Sequence, residues 1–178
     1  MFIKPKREKS KPKQPKQEMS KPSPQYPEYV RTKQMAQIGL EHLSRDYVIE
    51  HNRLIILSWD YVTEHGKEFG YELWWDPCNG WFIYDDEKDE NYTGLSYELY
   101  QGGNLMYYAY IKDGLAEGLK VRFYPSGELK SFGIYHKRKT VEIFYEWYES
   151  GKIRRHFDGS RWFHLDEEGY ILKPAEKQ

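Results

Sequence analysis

In the C-terminal half of the chain, apolar and polar residues alternate in short runs, and one recurring turn separates the runs. Tyr100-Gln101-Gly102-Gly103-Asn104-Leu105, Tyr124-Pro125-Ser126-Gly127-Glu128-Leu129 and Tyr148-Glu149-Ser150-Gly151-Lys152-Ile153 lie 24 residues apart. Alternation at period two marks a strand with one buried face, and a tight turn between two such runs joins them into a hairpin. In the second copy Pro125 presets φ for the first corner and Ser126 suits the next. Gly127 takes the left-handed position that closes a three-residue loop with a bulge. Counting outward from that loop, Phe123 faces Leu129, Arg122 faces Lys130, Val121 faces Ser131 and Lys120 faces Phe132. Leu119, Val121, Phe123 and Leu129 then share a buried face. The same count buries Leu95, Tyr97, Leu99, Leu105 and Tyr107 in the preceding hairpin, and Ile143, Tyr145, Trp147, Ile153 and Phe157 in the following one.

The opposite face is mixed. It carries Tyr100, Tyr124 and Tyr148 near the loop tips, the charges Glu98, Arg122, Lys130, Glu146 and Arg154 in the middle, and a band of Met106, Tyr108, Phe132 and Phe144 below. Rigid amphipathic rings on the wet side of a sheet suit a binding surface. The plainer account is the high strand propensity of tyrosine and a sheet that curls over this face. A period in this range means that one supersecondary unit stacks on the next, because a single unit cannot bury its own apolar face. Function is therefore to be sought on a surface.

Weaker copies of the turn extend the pattern at Ile49 to Leu54, Trp75 to Phe82 and Leu165 to Ile171. Gly66 to Gly70 and Gly114 to Gly118 share a Gly-x-x-x-Gly spacing expected between hairpins. Upstream, Val30, Met35, Ile38 and Leu43 recur at helical spacing, predicting a short helix within residues 28–45 in which Gly39 costs about 1 kcal/mol relative to alanine. The chain divides into a tail over 1–27, a helix or connector over 28–46, a repeat domain over 47–172 and a disordered end over 173–178.

A net charge of -1 hides a split. Lys4, Lys6, Arg7, Lys9, Lys11, Lys13, Lys16 and Lys21 face only Glu8 and Glu18 in the first 27 residues, which leaves the remainder acidic. A stretch so rich in lysine and proline cannot offset its ordering entropy and is expected to be disordered. Its charge suits nucleic acid or an anionic lipid surface, while a solvated leader or linker is the commoner role of such a run. No apolar run approaches membrane-spanning length, and Met1 to Arg7 lacks the apolar stretch of a signal peptide, so a cytoplasmic location is expected. With the lone Cys78 and no Cys-x-x-Cys, neither a disulfide nor a zinc site is expected.

Catalytic candidates are thin. Cys78 sits in a Pro-Cys-Asn-Gly turn with no histidine near it in sequence, His156 and His164 alternate with aromatics, and no His-Glu-x-x-His, Walker loop or Gly-x-Ser-x-Gly is present. Neither an enzymatic activity nor a cofactor nor a small-molecule substrate is expected. The acidic loop of Asp85, Asp86, Glu87, Asp89 and Glu90 lacks the ligand spacing and central glycine of a calcium loop. It reads as a solvated loop or as a patch that steers a basic partner. Asn91-Tyr92-Thr93 matches a glycosylation sequon, which has no use without export.

Serial hairpins with these turns resemble the MORN-repeat superfamily, in the variant found in bacterial proteins of the YwqK antitoxin and immunity type. The resemblance covers residues 47–171, is strongest over 94–158, and is carried by Tyr100, Gly103, Leu105, Asp113, Gly114, Gly118, Tyr124, Gly127, Leu129, Tyr148, Gly151 and Ile153. The chain departs from the pattern at His136-Lys137-Arg138-Lys139 and at the acidic insertion. The resemblance implies an all-β antiparallel meander with a short N-terminal helix. It also implies an antitoxin or immunity protein that occludes a cognate toxin by direct binding; on this chain's own pattern, Tyr100, Tyr124 and Tyr148 are the expected anchors and the acidic loop the steering element. The rival it implies is a membrane-associated or scaffolding module that holds a partner protein and sets its basic tail on anionic lipid.

Overall fold

The alternating runs become a sheet whose strands lie in sequence order. The computed structural model describes residues 29–35, 40–51, 55–76, 82–85, 87–137 and 139–174. The basic tail, Cys78, Asp86 and residues 175–178 lie outside them. In chain order the elements are β1 (Tyr29–Met35), a 3₁₀ turn (Leu40–Leu43), α1 (Arg45–His51), α2 (Trp59–His65), β2 (Lys67–Glu68), β3 (Leu73–Asp76), β4 (Phe82–Asp85) and β5 (Glu90–Asn91). There follow β6 (Gly94–Leu99), β7 (Leu105–Lys112), β8 (Leu115–Phe123), β9 (Leu129–His136), β10 (Lys139–Trp147), β11 (Ile153–Phe157), β12 (Trp162–His164) and β13 (Tyr170–Pro174). β6 to β12 pair each with the next, and β2 adds itself in parallel to β6.

The three turns share one hydrogen-bond pattern. Tyr100, Tyr124 and Tyr148 N–H donate to the carbonyls of Asn104, Glu128 and Lys152, and Gly103, Gly127 and Gly151 N–H donate back to the tyrosine carbonyls. These glycines have φ between 82° and 89°, a region closed to most side chains. The copy at Leu165 to Ile171 is the same turn, with Asp166 in place of tyrosine and Gly169 closing it.

The register departs from the straight count in the same way three times. Leu99 pairs with Leu105 but Glu98 with Tyr107; Phe123 with Leu129 but Arg122 with Ser131; Trp147 with Ile153 but Glu146 with Arg155. Met106, Lys130 and Arg154 are each one extra residue, a bulge just past the turn, and every side chain beyond a bulge changes face. Tyr108 and Phe132, expected on the wet side, are therefore 0% and 9% exposed in the main core, beside Tyr97, Val121 and Tyr145. Tyr107 and Phe157 move the other way, opposite Arg122 and Phe144.

The core face is roofed by α1 and α2. Ser58 caps α2 by accepting from Tyr61 N–H, Gly66 ends it, and the inward positions Val48 and Val62 are fully buried. Trp147 Nε1–H donates to Leu43 O at 2.8 Å, and Tyr108 Oη accepts from Leu57 N–H at 3.0 Å. Arg45 clasps two turns: its N–H donates to Gly151 O, and its guanidinium reaches Leu129 O and Glu128.

Four expectations are corrected. The helix expected within 28–45 is β1 and the 3₁₀ turn instead: Tyr29-Val30-Arg31-Thr32 is rich in strand formers, and β1 pairs with β13 from the far end of the chain, a partner that local spacing does not reveal. That pairing also takes in Lys173 and Pro174, so the folded part runs past 172. The expected turn at Ile49 begins inside α1, and Gly66 caps a helix rather than joining hairpins. β3 and β4 do form a hairpin, with Asp76 opposite Phe82; its connection at 77–81 lies outside the described residues.

On the other face, the small sheet β3-β4-β5 covers one end of β6 to β8. Leu73, Ile83 and Tyr92 meet Ala109 and Ile111 there in a second apolar cluster flanked by Tyr107 and Ala116.

Candidate functional site

The tyrosine row is half-buried and tethered rather than free. Tyr100, Tyr124 and Tyr148 Oη donate to the carbonyls of Phe123, Trp147 and Leu165 at 2.9, 2.7 and 2.9 Å. Each acceptor is the residue before the next turn, so each ring ties its hairpin to the following one. Ser126 and Ser150 Oγ donate to Glu149 and Glu167, which joins the tips again. Burial raises the Tyr124 and Tyr148 phenols above their usual range.

The band below the row is divided by the bulges. Tyr108 and Phe132 are core residues, Met106 is the bulged residue, and Phe144 is 6% exposed on the open face. The Phe144 ring packs over Gly133, where a Cβ would come within 2.8 Å of it, and against Trp162 at 5.2 Å.

The acidic loop splits in the same way. Asp85 is fully buried, with its carboxylate 3.0 Å from Lys67 Nζ. Burial pushes that carboxyl up, but the Lys67 ammonium and neighbouring backbone N–H groups outweigh it and hold it below the usual range. Glu87 reaches the same ammonium at 3.4 Å, and Asp89 accepts from the Tyr84 hydroxyl. Glu90, in β5, lies opposite Asp85 of β4 in the strand register. Asp85 thus anchors the small sheet to β2, while Glu87, Asp89 and Glu90 are exposed.

What remains accessible is the open face itself. One row crosses seven strands as Glu98, Tyr107, Arg122, Ser131, Glu146, Arg155 and, on the edge strand, His164. Glu146 is 4% exposed and engaged by Arg154 at 3.3 Å and by Arg155 Nε at 2.6 Å. Lys130 and Arg154 lie over the Tyr124 and Tyr148 rings, and Lys120 Nζ lies 4.9 Å from the Tyr107 ring centre. With Glu146 engaged by two arginines, Lys120, Arg122 and Lys130 bring further cationic side chains to this face, and Glu98 stands in the same row beside Tyr107. Burial and the nearby Glu98 push the Tyr107 phenol up to about 12, so it is a neutral donor at any physiological pH.

Where the small sheet meets this face, a cavity of about 120 Å³ opens between Trp75, Ile83, Tyr107, Ile111, Lys120 and Tyr135. The straight register missed it by burying Tyr107 in the main core. Ala109 and Ala116, small residues between strands of large ones, are the signal that a second layer packs here. Among the described residues no group of three or more His, Cys, Asp or Glu converges as a metal site, and no helix is long and apolar enough to cross a membrane.

No protein-family model matches the chain, and no solved structure matches it. It is similar to Immunity protein YwqK of Bacillus subtilis (strain 168), 40% identical over 60 residues. That stretch takes in 32% of this chain, and the chain spans 38% of the length of that curated relative.

Proposed function

We propose that this chain is an immunity protein, a MORN-like array of hairpins that binds one cognate toxin in the cytoplasm and blocks it by occlusion. The observation that carries the reading is the 40% identity over 60 residues to an immunity protein. The physical setting suits it: one face of the sheet is roofed by helices and closed to partners, and the other presents rings and charges on a rigid hydrogen-bonded frame. Occlusion needs only a stable complementary surface, and no reacting group has to be supplied.

Co-expression with the toxic product of a neighbouring gene in the native host tests the reading. Growth should be restored by the full chain and by a chain lacking residues 1–27, and the two proteins should co-purify. Failure of the full chain to restore growth or to bind would refute it.

A further inference from the structure

We propose that the groove between the small sheet and the main sheet receives an acidic protein segment, seating one apolar side chain between Trp75, Tyr107 and Tyr135 while its carboxylates lie on Lys120 and Arg122. The inference rests on the reading of the chain as a protein-binding immunity protein, and adds which face binds and what chemistry it selects.

The size of the cavity decides the first point. About 120 Å³ is the share of roughly four water molecules, well under the several hundred Å³ of a site for a cofactor or drug-sized ligand. One mid-sized side chain fills it. Its floor of Ile83, Ala109 and Ile111 is apolar and buried, so that side chain is apolar. The walls are preformed, because Ile83 N–H donates to Gly114 O at 2.9 Å and Gly114 N–H to Tyr92 O at 2.8 Å, pinning the small sheet to the β7–β8 turn. A rigid pocket with an aromatic rim is the form that an anchoring residue of a protein partner uses.

Charge decides the second point. Residues 28–178 are acidic in sum, yet Lys120 lines this groove and Arg122 lies beside it opposite Tyr107, with Glu98 on the far side of that ring. Glu146 is held by Arg154 and Arg155, while Arg122 is exposed and makes no ion pair among the described residues. Opposed charge at that rim selects carboxylates close to the anchoring residue. A nucleic acid fits less well: an aliphatic floor pairs with no base edge, and the acidic domain repels a long polyanion.

The test titrates the isotope-labelled full chain with an acetylated, amidated peptide Asp-Glu-Phe-Glu-Asp, followed by amide shifts. The same peptide with serine in the centre, one with lysines for the acids, and a short single-stranded oligonucleotide serve as comparators. The expected result is shifts at Ala109, Gly114 and Ala116, with affinity at least tenfold weaker for the two altered peptides and for Arg122→Glu and Trp75→Ala. Tyr61→Ala, on the helical roof, should stay within twofold, and thermal melts should show every variant folded. Shifts absent from the groove, affinity unchanged in folded Arg122→Glu and Trp75→Ala, or tighter binding of the oligonucleotide would each overturn the proposal. Growth rescue separates the two readings. Peptide binding as expected without rescue upholds the groove and removes the immunity reading. Full rescue by folded Arg122→Glu removes the groove and leaves that reading standing.

Discussion

The Tyr124 hydroxyl donates to Trp147 O at 2.7 Å, across to the next hairpin, from a ring that is half-buried. Such a group acts in folding before it can act in binding. Tyr124→Phe should cost about 0.5–1.5 kcal/mol, the net worth of one hydrogen bond, and Tyr124→Ala clearly more, since the packed ring goes as well. Denaturant melts of the two variants check this; equal stability to the parent in both would return the tyrosines to the free surface. Asp85 makes the same point for the acidic loop. Lys67→Met leaves its buried carboxylate without a counter-charge and should cost about 3 kcal/mol or more. The folded-state pKa of Asp85 lies below its unfolded value, so its pairing stabilises above the unfolded pKa and is lost as pH falls through the folded one. The parent should therefore lose this contribution in acid, and Lys67→Met should not show that loss.

At the scale of the strand, the repeated bulge decides which rings hold the molecule together. Phe132→Ala should cost about 3 kcal/mol or more, as for a core aromatic, whereas an unbulged hairpin would leave that ring on the surface and the substitution almost neutral. Equilibrium unfolding distinguishes the two. On β11, His156 is stacked between Tyr145 and Phe163 and donates Nδ1–H to Phe144 O. Burial lowers its pKa, and burial together with the Arg155 charge lowers that of His164. The unfolded chain thus takes up these protons first, and stability should be full above about pH 6.5 and decline as pH falls below it. His156→Gln should flatten part of that decline in melts taken across the range. The hairpins were legible in the sequence because turn and alternation lie within a few residues of one another. The bulges were not, since Met106, Lys130 and Arg154 share no chemical mark. The β1–β13 pair was not legible either, since nothing near Tyr29 names a partner beyond residue 170. The groove was hidden by the same slip, which turned Tyr107 inward on paper.

For the molecule as a whole, the division of labour between its two faces follows from where the N-terminal segment lies. A chain beginning at Glu28 retains every described contact and should melt with the full protein. One beginning at residue 37 loses β1 and leaves β13 without its strand partner, so it should melt several degrees lower, at roughly 2–4 °C per kcal/mol for this size. Scanning calorimetry on the two truncations checks both statements.

The clasp made by Arg45 sets an order of events during synthesis. Its partners Leu129 and Gly151 are translated long after it, and β1, earlier still, waits for Tyr170–Pro174. At roughly 5–20 residues per second, the segment made first stays unseated for several seconds while the hairpins form beneath it. A ribosome that stalls before residue 151 therefore releases a partial sheet with an unlatched roof, its aromatic interior open to any other nascent chain nearby.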